Sequence, residues 1–146
     1  VRDGGFYGWP YSYYGQRIDI RPEPPRPDLV ATAIKPDYAL GNHTSSLGLA
    51  SAQGSTLGGP FAESGMFVGQ HGSWNRTVPS GYLINFVPIK ADGNAGAAEV
   101  FADGFLDKVT GRALARPVDV ANLPDGSILV SDDYAGAIYR ISYTGN

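Results

Sequence analysis

The last third of the chain leaves little room for anything but antiparallel sheet. Residues 117–123, PVDVANL, alternate apolar and polar side chains, and Pro124-Asp125-Gly126 then makes a tight turn. Residues 127–131, SILVS, form the next strand, the run Asp132-Asp133-Tyr134-Ala135-Gly136 turns again, and 137–143, AIYRISY, alternates once more. Val118, Val120 and Leu123 are expected to face inward, with Ile128 and Val130 sharing one face and Ile138, Tyr139 and Ile141 as packing positions. Three short strands joined by tight turns are a meander, and β-propeller blades are such meanders with a fourth strand beside them.

The middle repeats the theme. Residues 65–70 (GMFVGQ), 81–89 (GYLINFVPI) and 97–102 (AAEVFA) read as strands, with Tyr82, Ile84 and Phe86 alternating and Asp92-Gly93-Asn94 as a turn. The stretch 43–53 leads into a further strand. Residues 19–37 carry Pro22, Pro24, Pro25, Pro27 and Pro36, which predicts a loop or extended crossing and no helix. No window holds a helical period. The expectation is an all-β fold, with 1–146 as one incomplete β-propeller domain of roughly three blades. Closed propellers have about 4–8 blades. The chain begins at Val1 and opens on the turn Arg2-Asp3-Gly4-Gly5, as if entering from an earlier strand. It is therefore expected to be a fragment, or to oligomerise or swap to cover its open edges.

Composition narrows the chemistry. The 146 residues are 42% apolar and 17% charged, enough for a packed core, and the 20 glycines and 11 prolines make the chain rich in turns. The net charge of −3 and the lack of a basic run argue against a nucleic-acid partner. With no cysteine there is no thiolate metal site, cysteine nucleophile or disulfide framework. No stretch is long enough to span a membrane.

Four groups stand at strand ends or loops beside aromatics: His43, His71, Arg76 and Arg116. The segment 71–76, HGSWNR, puts an imidazole, the Trp74 indole and a guanidinium within six residues. A guanidinium pairs with carboxylates in a fork and an indole offers a stacking face, so such a loop suits an anionic aromatic ligand, although a plain surface loop has the same spelling. Arg116, just before the first strand of the last meander, stands either at a ligand site or as a solvated loop end. Asp125, Asp132 and Asp133 read as turn-formers more readily than as calcium ligands. Asn42-His43-Thr44 and Asn75-Arg76-Thr77 fit the short glycosylation pattern.

The strings YGWPY (7–11), HTSSLGL (43–49), HGSWNR (71–76) with Gly81-Tyr82, and RPVDVANLPDGSILVSDDYAGAIYRISY (116–143) together resemble the C-terminal part of the sorbosone dehydrogenase-like proteins. These stand within the wider group of soluble glucose/sorbosone dehydrogenases that use pyrroloquinoline quinone (PQQ). The resemblance implies a six-bladed propeller with PQQ over its channel, Ca2+ polarising the quinone, and a histidine base. It implies oxidation of a sugar or sugar aldehyde, with electrons leaving to an external acceptor and the protein exported to the periplasm or secreted. Carried over by position, His43, His71 and Arg116 are the implied quinone contacts, with Trp74 and Arg76 in the same motif. Ala115 stands where members commonly have glycine before Arg-Pro. The catalytic base and the calcium ligands are implied to lie upstream of Val1, so that the isolated fragment is expected to be inactive. Two other readings compete. One is a calcium-dependent sugar lactonase-type propeller, for which Asp119 is the available channel carboxylate. The other is a non-catalytic propeller binding domain.

Overall fold

The computed structural model describes residues 2–145, and these fall into two compact units, Val1–Ala39 and Leu40–Asn146. In the first unit, β1 (Ser12–Tyr13) and β2 (Arg17–Ile18) form a two-stranded antiparallel ribbon. The proline-rich stretch departs from expectation by one helical turn, α1 (Pro27–Val30). Proline is tolerated there because its missing N–H would be unpaired in a first turn anyway, and its fixed φ suits the helix. Arg26 pairs with Asp28 across that turn at 2.7 Å.

The second unit holds two antiparallel meanders. β3 (Ser46–Ser51), β4 (Gly65–Gln70), β5 (Leu83–Pro88) and β6 (Glu99–Ala102) form a four-stranded sheet in sequence order. β7 (Pro117–Asn122), β8 (Ile128–Asp132) and β9 (Ala137–Ile141) form a three-stranded one. The strands read from alternation are therefore present to within a few residues. With the ribbon, the described residues contain three small antiparallel sheets.

One hydrophobic core joins the two meanders. Phe67, Ile84 and Phe86 of the first and Val120, Ile128 and Val130 of the second are all buried, together with Ala52 and Leu57. Phe61 meets Phe86 edge-on at 5.5 Å between centroids and Phe101 at 4.9 Å, the favoured geometry for ring quadrupoles. Two inward expectations are corrected by the pleat. Ile138 is 71% exposed, because Tyr139 and Ile141 take the core face of β9 and its neighbour must point away. Val118 is only half-buried, because β7 bulges between Pro117 and Val120 and hands the core positions to those two residues.

The first strands of the two meanders lie against each other, β3 on β7. A side chain at Gly48 would put its Cβ 2.4 Å from the Asp119 Cα and 2.8 Å from the Val118 carbonyl oxygen. The contact is backbone against backbone, so only glycine fits. The Gly48→Ala substitution is expected to destabilise the protein by about 1–3 kcal/mol, since the opposing atoms cannot swing aside. A fall in the thermal midpoint checks this.

The turn between β8 and β9 is built on Asp132. Its buried carboxylate accepts the backbone N–H groups of Arg116, Tyr134 and Ala135, each at 3.0 Å, and the Tyr139 hydroxyl at 2.9 Å. Burial opposes the charge, but the N–H groups of Ala135 and Arg116, the Tyr139 hydroxyl and the Tyr134 N–H outweigh it and hold the carboxyl below its ordinary value. Asp125 does the same work in the Pro124-Asp125-Gly126 turn, accepting the Ser127 N–H at 3.0 Å and pairing with Arg140. The turn-forming role expected of both residues is thus observed. Asp132→Ala, which orphans several donors, is expected to cost about 2–4 kcal/mol. Because the folded pKa is depressed, the stabilisation is complete above the unfolded value of about 3.9 and is lost as pH falls through the folded value. Acid unfolding of Asp132→Asn against the parent should show a shallower loss below about pH 4.

Candidate functional site

At one end of the two meanders, four separate stretches meet: 42–46, 70–82, 115–118 and 132–133. Two bulges open there. β3 slips register between Ser46, paired with Gln70, and Leu49, and β7 slips between Pro117, paired with Asp132, and Val120. Bulges re-aim side chains, and here both do so beside the same loops.

The loop that follows β4 is clamped at its base. The Ser73 N–H donates to the Ser80 carbonyl at 2.9 Å, the Ser80 N–H returns to the Ser73 hydroxyl at 3.0 Å, and the Tyr82 hydroxyl donates to the Ser73 carbonyl. The loop is tied to the 42–45 turn by the His71 N–H on the Ser45 carbonyl at 3.0 Å and the Gly72 N–H on the Thr44 carbonyl at 2.9 Å. A Cβ on Gly81 would sit 2.7 Å from that Thr44 carbonyl oxygen, and Gly81 holds φ +81° besides. His43, Ser45 and Tyr82 also hold positive φ, three of the four non-glycine residues that do so among those described. Such backbone costs free energy, and it gathers where a fold positions a ligand or reacting group.

Arg116 is half-buried and braces this corner. Its Nε donates to the His71 carbonyl at 3.0 Å and its Nη2 to the Gly72 carbonyl at 2.8 Å, with the guanidinium 5.3 Å over the Tyr82 ring. It is therefore no solvated loop end. Nη1 has no protein acceptor among the described residues. Ala115, in the place where glycine was expected, is buried without difficulty and donates its N–H to the Phe105 carbonyl at 3.1 Å.

His71 lies beside Arg116, and its Nε2 is 2.8 Å from an Asp133 carboxylate oxygen. Trp74 stands 81% exposed at the loop tip. Arg76 reaches back, Nη1 donating to the Asn42 carbonyl at 3.3 Å. His43 is exposed on the neighbouring turn, its carbonyl accepting the Ser80 hydroxyl at 3.4 Å. All five residues singled out in the sequence therefore belong to this one corner. Sequence reasoning missed two members. Tyr82 was legible as an alternating core position and as part of the family strings but not as a site residue, and Asp133 was grouped with Asp132 as a turn-former. The Gly81-Tyr82 pair directly after the motif was the available signal for the first, and no local signal existed for the second.

Chemically, the corner offers two guanidinium groups, an imidazole held by a carboxylate, and an open indole face. That combination suits a planar anion. Asp119 is exposed, its carboxylate accepting the Val120 N–H at 2.8 Å. Among the described residues no group of three His, Asp or Glu side chains is arranged to hold a metal ion. No helix is long and apolar enough to cross a membrane.

Comparisons with known proteins bear on what this corner belongs to. The chain is 36% identical over 107 residues to an uncharacterized protein of Borreliella burgdorferi, covering 73% of this chain and 28% of that one. It is similar to the holo form of the pyranose dehydrogenase PQQ domain from Coprinopsis cinerea, at 29% identity and a TM-score of 0.55, over 77% of this chain and 30% of that one. The fold also matches the calcium structure of the Trichoderma reesei carbohydrate-active enzyme of family AA12, at 20% identity and a TM-score of 0.71, over 94% of this chain and 38% of that one. The chain thus spans about a third of each of these proteins. Residues 28–144 match the family model described as TrAA12-like. The likeness read from HTSSLGL, HGSWNR and the final long string is borne out by these matches, and the chain belongs to the TrAA12-like family.

Proposed function

We propose that this chain is part of a PQQ-dependent sugar dehydrogenase, contributing roughly the C-terminal three blades of a six-bladed propeller, and that the corner around His71 and Arg116 helps to seat the quinone. One observation carries the reading. Five residues drawn from motifs up to 73 positions apart, His43 to Arg116, gather at one end of adjoining sheets, around a backbone held in strained conformations.

The residues fit the group. PQQ is a flat aromatic system carrying several carboxylates. Arg116 keeps Nη1 clear of protein acceptors among the described residues and, with Arg76, supplies positive charge for carboxylates. The exposed Trp74 offers its indole face to the ring system. His71 and His43 offer imidazole nitrogens to its polar edge. Once bound, the quinone supplies hydride-accepting, two-electron chemistry, with calcium to polarise it. The duties of this chain are to bind, orient and exclude water. The base that takes the hydroxyl proton and the calcium ligands are assigned to the rest of the protein, upstream of Val1. The substrate is a sugar or sugar aldehyde, electrons pass to an external acceptor, and the protein works in the periplasm or outside the cell.

In the intact protein, Arg116→Ala is expected to weaken PQQ binding by about tenfold or more, since a desolvated charge contact and the brace on the His71 and Gly72 carbonyls are lost together. Arg116→Lys should recover part of the charge effect without the fork. Titration calorimetry reads both, and affinity equal to the parent's in Arg116→Ala and His71→Ala would remove this corner from the quinone site. The isolated chain 1–146, supplied with PQQ and calcium, is expected to give no sugar-dependent dye reduction. Turnover by it would place the base within these residues.

A further inference from the structure

The two adjacent carboxylates at the β8–β9 turn do different work. Asp132 is buried, and its oxygens are engaged by the N–H groups of Arg116, Tyr134 and Ala135 and by the Tyr139 hydroxyl. The turn is closed by that residue alone. Asp133 contributes nothing to it. Its side chain is 65% exposed, and its hydrogen bond is to His71 Nε2 at 2.8 Å, across 62 positions of sequence. The imidazole it meets is 18% exposed, lies against the backbone gripped by Arg116, and has no partner on Nδ1 among the described residues.

We propose that Asp133 is a positioning residue for His71, holding the ring in the Nε2–H tautomer so that Nδ1 is presented as a bare acceptor to a ligand's N–H or O–H donor. This rests on the reading of the corner as part of the quinone site. A carboxylate accepts and does not donate at neutral pH, so in the neutral ring the nitrogen facing Asp133 carries the proton and the other nitrogen is left without one. The bond also fixes the ring plane, as second partners of functional histidines commonly do. The charged groups around His71 are Asp133 on Nε2, Arg116 on its carbonyl, and Asp132, which accepts the Arg116 N–H. An exposed ion pair with no further role would leave ligand affinity untouched.

The test uses the intact protein labelled with 15N-histidine, with the His71 signals assigned by their loss in His71→Gln. At about pH 8, above the usual imidazole range, two-bond 1H–15N spectra are expected to show His71 in the Nε2–H form. In Asp133→Asn the amide donates to Nε2 instead, the Nδ1–H form gains population, and PQQ affinity falls roughly tenfold. Asp133→Glu should restore the parent tautomer and part of the affinity. The thermal midpoint should stay with the parent's, because Asp133 is exposed and outside the turn network. A parent ring without tautomer preference, or one unchanged by Asp133→Asn, overturns the proposal whatever PQQ does. A tautomer switch with unchanged PQQ affinity upholds the positioning role and overturns the assignment of this corner to the quinone.

Discussion

Strands β3 and β7 touch through their backbones, and much else in the second unit follows from that contact. With no side chain at Gly48, the two meanders approach closely enough for Phe67, Ile84 and Phe86 to share one dry core with Val120, Ile128 and Val130. A spacer of one methyl group between the strands would lift the sheets apart, and close-packed interiors do not absorb such changes freely. The same approach brings the loops at one end of the two sheets within hydrogen-bonding reach, so the packing that stabilises the unit also assembles its candidate site.

The site is held by backbone bonds more than by side-chain pairs. Arg116 binds two carbonyl oxygens of the 71–72 corner, Asp132 binds the Arg116 N–H, and the Thr44 and Ser45 carbonyls take the Gly72 and His71 N–H groups. These bonds form a chain from the β8–β9 turn through β7 and β4 to the turn before β3. Side chains on such a frame lose little freedom on binding, which is how a loop-built site gains precision. The left-handed conformations of His43, Ser45 and Tyr82 are tolerated because the frame determines them from both sides.

Much of this was legible in the residues. Period-two alternation between Gly and Asp turns marks β5, β7, β8 and β9, because each of these strands has one face on the core and one toward solvent or loop. The motif residues His43, His71, Trp74, Arg76 and Arg116 were visible by type and by resemblance. Legibility failed where the pleat is broken or the partner is distant. Val118 lost its core place to a bulge that alternation does not announce, and Ile138 points away beside the core-facing Tyr139. The α1 turn was hidden because proline stops a helix in its interior but begins one well.

The pair Asp132 and Asp133 separates the two kinds of knowledge. The sequence by itself determined that an acidic turn joins two strands, since Asp side chains cap local N–H groups over a few residues and that geometry is local. It also determined the strand order, the turns and the residue types available for binding an anion. Only the tertiary structure decided that Asp132 closes the turn while Asp133 reaches His71, and that Arg116 spends two donors on a corner 44 and 45 positions away. Those choices depend on how closely β3 and β7 pack and on where two bulges fall, which are properties of the assembled sheets and not of any one segment.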